Sequence, residues 1–449
     1  MRWALVVTML VCAACDARHV LGRATREAPC GSFVAGPDLA VCSAGFVGAE
    51  APAVAVGADG ALVLAMQDLA GVSGGTSHLI AVGKAGFVRV LPRTRQVLSR
   101  TILGDVVFDL EVSTQQGFIA VLGAPWGVAL FEADGAKPLF TAPIQASRIS
   151  VGDDGTVAVW DNASAAITVF DRTGKRLGSF SSRAVAGEGD VAVDSANRLV
   201  VVAGQSDGRP VCDAIDYQGN PRWKNYDWPA GLAESEELRA VSKGVRIHVG
   251  RDGALYLLGE SNGGNTVFSR DPRVFAEPAP SVSYDEFNTP YNTSKAITFV
   301  GRFAPRTGEL MLGQLLLARA EGPAPRKGVA TMASDIAADE QGQVMVAVAH
   351  PCCGPAFKER KVAGRTLIAS SSDFAVVILG QDFRIRALWT TFGTGGASVA
   401  AGVAFGAGVA AVTGLQGAVE SGMGPLVTQQ PLFPSIAANG GYVAFWPAP

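Results

Sequence analysis

Short apolar stretches alternate with polar turns along most of the chain, and one arrangement recurs seven times. Each copy has an apolar strand, a turn with Gly or Asn, and a second apolar strand, as in ISVGDDGTVAVWD at residues 149–161. The seven turn landmarks are Gly60, Gly117, Gly155, Asn197, Gly253, Gly342 and Gly408. Alternating or continuous β-branched and aliphatic residues follow each landmark, which is typical of strands buried on one or both faces.

A second hairpin follows most of the landmarks. Its strand, polar turn and strand are clearest in residues 128–140, 167–180, 213–223 and 301–313. Two hairpins make a four-stranded antiparallel sheet, and the spacing of about 40 residues between the landmarks around Gly155 matches one propeller blade. We therefore predict an all-β fold, a β-propeller with seven four-stranded blades.

Two segments depart from the regular spacing. The interval from Gly253 to Gly342 is longer than one blade, and the Pro- and Asn-rich residues 261–295 are interpreted as an insertion loop of the fifth blade. An eighth blade in this interval is the alternative. The seventh unit lacks a fourth strand, so we expect the strand-like segment 31–46 to pair with it and close the ring, because unpaired sheet edges invite aggregation.

The composition excludes some classes of protein. The chain has 449 residues, of which 48% are hydrophobic and 17% charged, which is typical of a globular chain rather than a disordered one. The net charge is −3, and positive and negative residues are interspersed. No basic face is therefore available for nucleic acid, which we exclude as a partner.

The N-terminus resembles a bacterial lipoprotein signal. An apolar run follows Arg2, and the sequence VCAAC at residues 11–15 places two alanines directly before Cys15. The resemblance implies a signal peptide over residues 1–15 that ends at a lipid-bearing Cys15. An ordinary secretory signal, cut near Ala14 or Ala17, is the alternative.

Either signal exports the chain. Residues 16–30 lack apolar periodicity and are expected to form a flexible tether, and residues 31–449 then form the propeller. We expect a protein of the bacterial cell envelope, attached to a membrane by its lipid alone, on the periplasmic side or at the cell surface.

An exported chain can form disulfides. Beyond the signal the cysteines are Cys30, Cys42, Cys212, Cys352 and Cys353. Cys30 and Cys42 enclose a short segment and are the expected bridge. Cys352 and Cys353 either form a vicinal disulfide or stay reduced, and Cys212 is expected to be a small buried side chain.

Part of the chain resembles the bacterial β-propeller repeat family found in exported and surface proteins. In that family an Asp-aromatic-Val strand follows a Ser/Gly run, and a Trp near a closing Phe-Gly ends the unit. The matching residues are Asp373, Phe374, Val376, Trp389, Phe392 and Gly393, with Asp213, Gly219 and Trp223 in an earlier unit. Phe383 and Arg384 stand where the family has a turn glycine.

Candidate catalytic and metal-binding groups are few. Asp153 and Asp154 precede a turn glycine, but other residue types replace them in the other repeats, which a turn tolerates and a ligand set does not. The sequence separation of His78, His248 and His350 does not match metal-ligand spacing. We therefore predict no catalytic residues, no metal and no cofactor.

The favoured function is a non-catalytic binding or scaffold module for an envelope protein, a peptide or a glycan, acting as a monomer. Phe275, Tyr284, Phe287 and Tyr291 lie in a polar part of the insertion and are the candidate binding residues, because interaction sites are rich in aromatic side chains. The alternative for this loop is that it folds back and buries its rings. The alternative function is an exported propeller enzyme, similar to quinoprotein dehydrogenases or lyases, with its site at the axial funnel.

Overall fold

The computed structural model of the chain is a seven-bladed β-propeller, which confirms the predicted fold and blade count. It describes residues 38–39, 43–46, 54–66, 85–91, 96–104, 106–185, 189–229, 231–279, 282–283, 296–316, 318–319, 328–329, 331–349, 360–362, 365–367, 375–392, 398–416 and 440–448. Each blade is an antiparallel sheet with four strands, and its first strand lies nearest the axis.

The strands are given from the inner to the outer edge of each blade. Those of blades 1 to 4 are Val54–Val56, Leu62–Met66, Ala85–Leu91 and Gln96–Gly104; Val106–Val112, Ile119–Ala124, Gly127–Phe131 and Pro138–Ala142; Arg148–Val151, Val157–Asp161, Ala166–Phe170 and Arg176–Ser181; and Gly189–Asp194, Leu199–Ser206, Arg209–Asp216 and Pro221–Asn225. Those of blades 5 to 7 are Ser242–Val249, Leu255–Ser261, Ile297–Phe303 and Leu310–Leu316; Met332–Ala338, Val344–Ala349, Ala375–Leu379 and Arg386–Thr391; and Ser398–Gly406, Val409–Gln416, Gly440–Pro447 and Ser43–Phe46.

The hydrophobic core lies between adjacent blades. Second strands such as Val157–Asp161 are almost wholly buried, because a neighbouring blade covers each of their faces. Outer strands such as Arg176–Ser181 are mostly exposed or half-buried. This gradient explains the continuous apolar runs after each landmark and the more polar fourth strands. A buried Val or Leu side chain contributes about 1.5–3 kcal/mol, so these runs stabilise the ring.

The tight turns explain the landmark glycines. Gly155 has φ 78° and donates its N–H to the carbonyl of Gly152, a left-handed conformation that glycine adopts without steric cost. Phe383 takes the corresponding left-handed conformation, with φ 61°, in the turn between the third and fourth strands of blade 6, and its side chain is fully buried. The turn that lacks the expected glycine is therefore formed by a residue whose ring packs in the core.

The ring is closed by the N-terminal segment, as predicted. Ser43–Phe46 pairs antiparallel with Gly440–Pro447 and supplies the outer strand of blade 7. The inner strands contact one another in cyclic order, and the inner strand of blade 1 contacts those of both blade 2 and blade 7. The N-terminal segment therefore supplies the strand that completes the last blade.

The insertion of blade 5 does not form an eighth blade in its described part. Its short 3-10 helix, Val267–Ser269, packs Phe268 flat against Phe299, at 4.1 Å between ring centroids. Val282–Ser283 adds a parallel strand to the outer edge of the blade. The one described α-helix is Leu232–Ser235, and no described helix has the length and apolarity to cross a membrane.

Two small sheets lie outside the blades. Asp38–Leu39 pairs parallel with Arg360–Val362, which pairs antiparallel with Arg365–Leu367. Ala318–Arg319 and Gly328–Val329 form a hairpin in the connection between blades 5 and 6.

Antiparallel strands give the propeller two different ends. The turns between first and second strands and between third and fourth strands lie at one end, which we call the turn face. The connections between second and third strands and between successive blades lie at the other end, which we call the loop face.

Candidate functional site

A cavity of about 100 Å³ lies on the propeller axis. Residues from the inner strands of all seven blades line it, and many of them are charged. It brings together titratable side chains from five blades, which are distant from one another in the chain. It is therefore the candidate functional site.

Charges of alternating sign surround the axis at one height. They come from blades 2 to 6 in order, and we call Asp109, Arg148, Asp190, Arg246 and Asp335 the axial charge ring. The register of each inner strand against its second strand places these five residues at equivalent positions. Gly402 holds this position in blade 7. Each arginine therefore lies between two aspartates.

The three aspartates of the ring connect neighbouring blades. Each carboxylate accepts a hydrogen bond from a backbone N–H on the inner strand of the next blade. The pairs are Asp109 Oδ2 with Ile149 N at 3.1 Å, Asp190 Oδ2 with Ile247 N at 2.9 Å and Asp335 Oδ2 with Val403 N at 2.8 Å. Ser150 Oγ accepts from Val193 N at 3.0 Å in the same manner. These bonds satisfy donors that the ring of sheets would otherwise leave unpaired.

Extra residues in the inner strands help the carboxylates to reach their partners. Blades 2, 5, 6 and 7 each carry a register shift near the start of the inner strand, typical of a β-bulge. A bulge re-aims the following side chain. In blades 2 and 6 that side chain is the aspartate of the axial charge ring.

An acidic and a basic side chain also approach each other across the cavity. Glu111 of blade 2 lies 3.6 Å from His248 of blade 5, measured from Oε1 to Nδ1, a distance typical of an ion pair rather than a short hydrogen bond. Burial disfavours the charged imidazole, but the Glu111 carboxylate outweighs it and raises the pKa of His248. Burial in turn raises the pKa of Glu111.

Asp109 of blade 2 and Asp335 of blade 6 have pKa values well above the usual range of an aspartate. Burial raises the pKa of Asp109 to about 6, although Arg148 opposes the shift. Burial raises the pKa of Asp335 to about 6 against the opposing charge of Arg246. Groups with such pKa values can exchange protons at physiological pH, which is the property expected of an acid or base catalyst.

The cavity itself is small for a substrate site. Ligand pockets are usually about 300–1,000 Å³, several times the volume available on the axis. Within the described part of the chain, no three His, Cys, Asp or Glu side chains are grouped so that they could hold a metal ion. The arrangement is suited to water molecules and to holding the blades together.

The structure describes a few of the residues singled out from the sequence. Phe275 is 7% exposed and packs edge-on against Trp228, with ring centroids 4.8 Å apart, so it belongs to the core and not to an exposed binding surface. This agrees with the alternative in which the loop folds back. Tyr284, Phe287, Tyr291, His78, His350, Cys15, Cys30, Cys42, Cys352 and Cys353 lie outside the described residues.

Three of the singled-out residues have structural roles. Asp154 Oδ1 accepts a hydrogen bond from Thr156 N at 2.9 Å, which confirms its role as a turn former. Asp153 Oδ1 accepts from Gln115 N at 2.7 Å and thereby fastens the turn of blade 3 to that of blade 2. Cys212 is a fully buried free thiol, as expected.

The loop face differs from the turn face in the length of its connections. The connections between second and third strands are tight in blades 2 to 4, at residues 125–126, 162–165 and 207–208, and much longer in blades 5, 6, 7 and 1, at residues 262–296, 350–374, 417–439 and 67–84. Exposed apolar side chains lie at both ends of the propeller, and Met311 (46%) and Ile385 (65%) are examples at the turn face. Several others lie at the loop face, on or next to the first or fourth strands. They are Ile102, Phe108, Val185, Val241 and Met332, which are 40–53% exposed.

Comparisons with known proteins identify the fold and nothing finer. No family model and no curated protein matches the chain. A solved structure titled "Structure of U3-55K" is similar, with a TM-score of 0.51 and 12% sequence identity, over 92% of this chain and 100% of that one. At this identity the likeness shows a shared β-propeller fold, which is compatible with a binding or scaffold module. The resemblance to the bacterial exported repeat family stays a prediction.

Proposed function

We propose that the protein is a non-catalytic binding or scaffold module of the bacterial cell envelope, anchored by a lipid on Cys15, whose loop face binds a partner. The observation that carries the proposal is the one-sided loop face. Long connections between second and third strands occur on four adjacent blades around the ring, all at this end. Exposed apolar side chains such as Phe108 and Met332 lie beside the axis at the same end.

Both properties are typical of interaction surfaces. Binding residues are found disproportionately on loops that a rigid scaffold positions, and clustered exposed apolar side chains mark contact surfaces. Phe108 and Met332 are each 40% exposed at the inner end of the loop face, where a partner seated over the axis would cover them. Among an envelope protein, a peptide and a glycan, these apolar groups favour a protein or peptide partner.

Photo-crosslinking tests the use of this face. A photoreactive residue replaces Phe108 or Met332 on the loop face, and Lys175 or Glu309 on the turn face serves as the matched control, since both controls are exposed. We expect a discrete crosslinked product in envelope preparations from the two loop-face positions. A product from the turn-face positions alone, or from none of the four, would refute the proposal.

The lipid anchor has its own test. Cys15→Ser is expected to abolish incorporation of a labelled fatty acid and to release the protein from the membrane fraction. Cys12→Ser, which removes the other cysteine of the signal, is the control and should leave both unchanged. If the Cys15→Ser protein still acquires lipid, the assignment of the anchor is wrong; a mature chain that starts near Ala14 or Ala17 would indicate the ordinary secretory signal.

An enzyme with an axial site is the second candidate. Its support is the set of raised pKa values at Asp109, Glu111, His248 and Asp335. The small cavity and the backbone hydrogen bonds to the aspartates argue against it, because those carboxylates already have partners. A tightly bound ion or chromophore in the purified protein, lost in His248→Gln, would favour the enzyme.

A further inference from the structure

A groove of about 460 Å³ lies on the turn face between blades 4 and 5. We call it the arginine groove, because Arg198, Arg222 and Arg306 line it together with Asn197, Asp216 and Gln218. Asp216 is its one carboxylate, so three positive charges face one negative charge. This local excess stands out in a chain whose net charge is −3.

Arg306 is held in place by the neighbouring blade. Its Nε donates to Asn197 Oδ1 at 2.9 Å, and Asn197 Nδ2 donates to Asp194 Oδ2 at 2.7 Å, which fixes the amide with its oxygen towards the arginine. The two terminal nitrogens of Arg306 have no partner among the described residues. Donors are therefore available on a guanidinium that is already oriented.

The turn that carries Arg306 is fixed as well. Trp223 Nε1 donates to the carbonyl of Pro305 at 2.8 Å, and Asn225 Nδ2 donates to that of Gly308 at 2.7 Å. Gly308 has φ 68° and lies so close to Trp223 that a Cβ would come within 2.6 Å of the indole ring. These contacts join the turn of blade 5 to blade 4, which supplies the other residues of the groove.

Arg198 occupies an unusual backbone position. The six other turns between first and second strands place glycine in the left-handed conformation, whereas blade 4 places Arg198 there, with φ 56°. A side chain in this conformation is disfavoured, and outliers of this kind occur at functional sites. The guanidinium lies over the Tyr217 ring, 5.2 Å from its centroid, and has no carboxylate partner among the described residues.

We propose that the arginine groove binds a phosphate monoester. Guanidinium groups bind tetrahedral oxyanions through paired, charge-assisted hydrogen bonds, and a groove of 460 Å³ has the size of a ligand pocket. Arg222 pairs with Asp216 at 3.0 Å, which leaves an excess of two charges from Arg198 and Arg306. A phosphate monoester carries about −1.5 to −2 near pH 7, which matches this excess better than a carboxylate or a sulfate monoester does. The site is separate from the loop face.

Calorimetric titration of the purified full chain at low ionic strength tests the proposal, with inorganic phosphate, glycerol phosphate and phosphoserine as probes and matched sodium chloride as the blank. We expect Arg306→Ala to weaken binding of inorganic phosphate about tenfold. The control is Arg172→Ala, which removes the same charge from the equivalent Arg-Thr-Gly turn of blade 3 and should change binding less than twofold. Equal losses in the two variants, or no phosphate binding by the wild-type protein, would overturn the proposal.

A second variant separates binding from folding. Arg198→Gly relieves the left-handed backbone, so its melting temperature should not fall, while its affinity for inorganic phosphate should drop severalfold. An unchanged affinity would refute a binding role for Arg198. Tighter binding of glycerol phosphate or of phosphoserine than of inorganic phosphate would indicate which kind of carrier the groove accepts.

Discussion

The hydrogen bonds between blades make a sharp prediction at Asp190. This side chain is 6% exposed, lies between Arg148 and Arg246 in the axial charge ring, and accepts the N–H of Ile247 at 2.9 Å. Asp190→Ala removes a bond between a charged acceptor and a buried donor, a loss of about 1.5–3 kcal/mol. It also leaves two arginines with less opposing charge, so we expect a total loss of about 3 kcal/mol.

Two variants divide that loss into its parts. Asp190→Asn keeps an acceptor for Ile247 but removes the charge, and we expect it to cost about half as much as the alanine variant. Ser150→Ala removes a neutral acceptor from the corresponding bond to Val193 and should cost about 1 kcal/mol. Glu132→Ala, at an exposed carboxylate of blade 2, is the control and should be close to neutral.

Urea unfolding followed by tryptophan fluorescence is the appropriate measurement, because the chain has 7 tryptophans. A propeller of about 400 residues has a large entropy of unfolding, so a loss of 3 kcal/mol in stability lowers the melting temperature by only about 3–4 °C. The urea midpoint is the more sensitive measure of this loss. An Asp190→Ala midpoint equal to that of Glu132→Ala would show that the axial charge ring does not stabilise the propeller.

Three further predictions concern the other aspartates of the axial charge ring, the turn at Gly308 and the N-terminal strand. The pKa values of Asp109 and Asp335 are raised from 3.8 to about 6, so the folded protein holds these protons more tightly than the unfolded chain does; their contribution to stability is complete below pH 3.8 and is lost as the pH rises through 6. The urea midpoint should therefore rise between pH 7 and pH 5, and the rise should shrink when both residues are asparagine; a rise of the same size in the double variant would refute it. Gly308→Ala should lose about 2–3 kcal/mol, because the new Cβ strains a left-handed residue against Trp223; a loss below 0.5 kcal/mol would show that the turn moves freely. Deletion of residues 31–46 should leave blade 7 with three strands and produce aggregation in light scattering, whereas a soluble, cooperatively folding product would refute the closure mechanism.

Much of the fold was predictable because it depends on local patterns. A left-handed glycine such as Gly155 marks most of the tight turns, and buried strands beside it are apolar because blades cover both of their faces. Closure by residues 43–46 followed from an unpaired edge at each end of the chain. Burial of Phe275 was one of two open alternatives, since the sequence of a loop does not reveal whether its rings contact solvent or Trp228.

The axial charge ring was not predicted, although the sequence contains a signal for it. Arg148, Asp190, Arg246 and Asp335 occur shortly before their turn landmarks, but alignment on the turns draws attention to Asp153 and Asp154 instead. The pairing of Glu111 with His248 depends on the curvature that brings blade 2 opposite blade 5. The arginine groove depends on turns of two blades, so no spacing within one repeat indicates it.

The pairing of Ser43–Phe46 with Gly440–Pro447 also sets the order in which the protein can fold. Ser43–Phe46 precedes all the other strands of the blades along the chain and must wait for Gly440–Pro447, which follows all of them. Blades 1 to 6 can form as they emerge, since their strands are neighbours in sequence, but the ring stays open with two exposed edges until the final strand arrives. Closure is therefore a late, long-range step, and the interval before it is when the unfinished propeller is most open to aggregation.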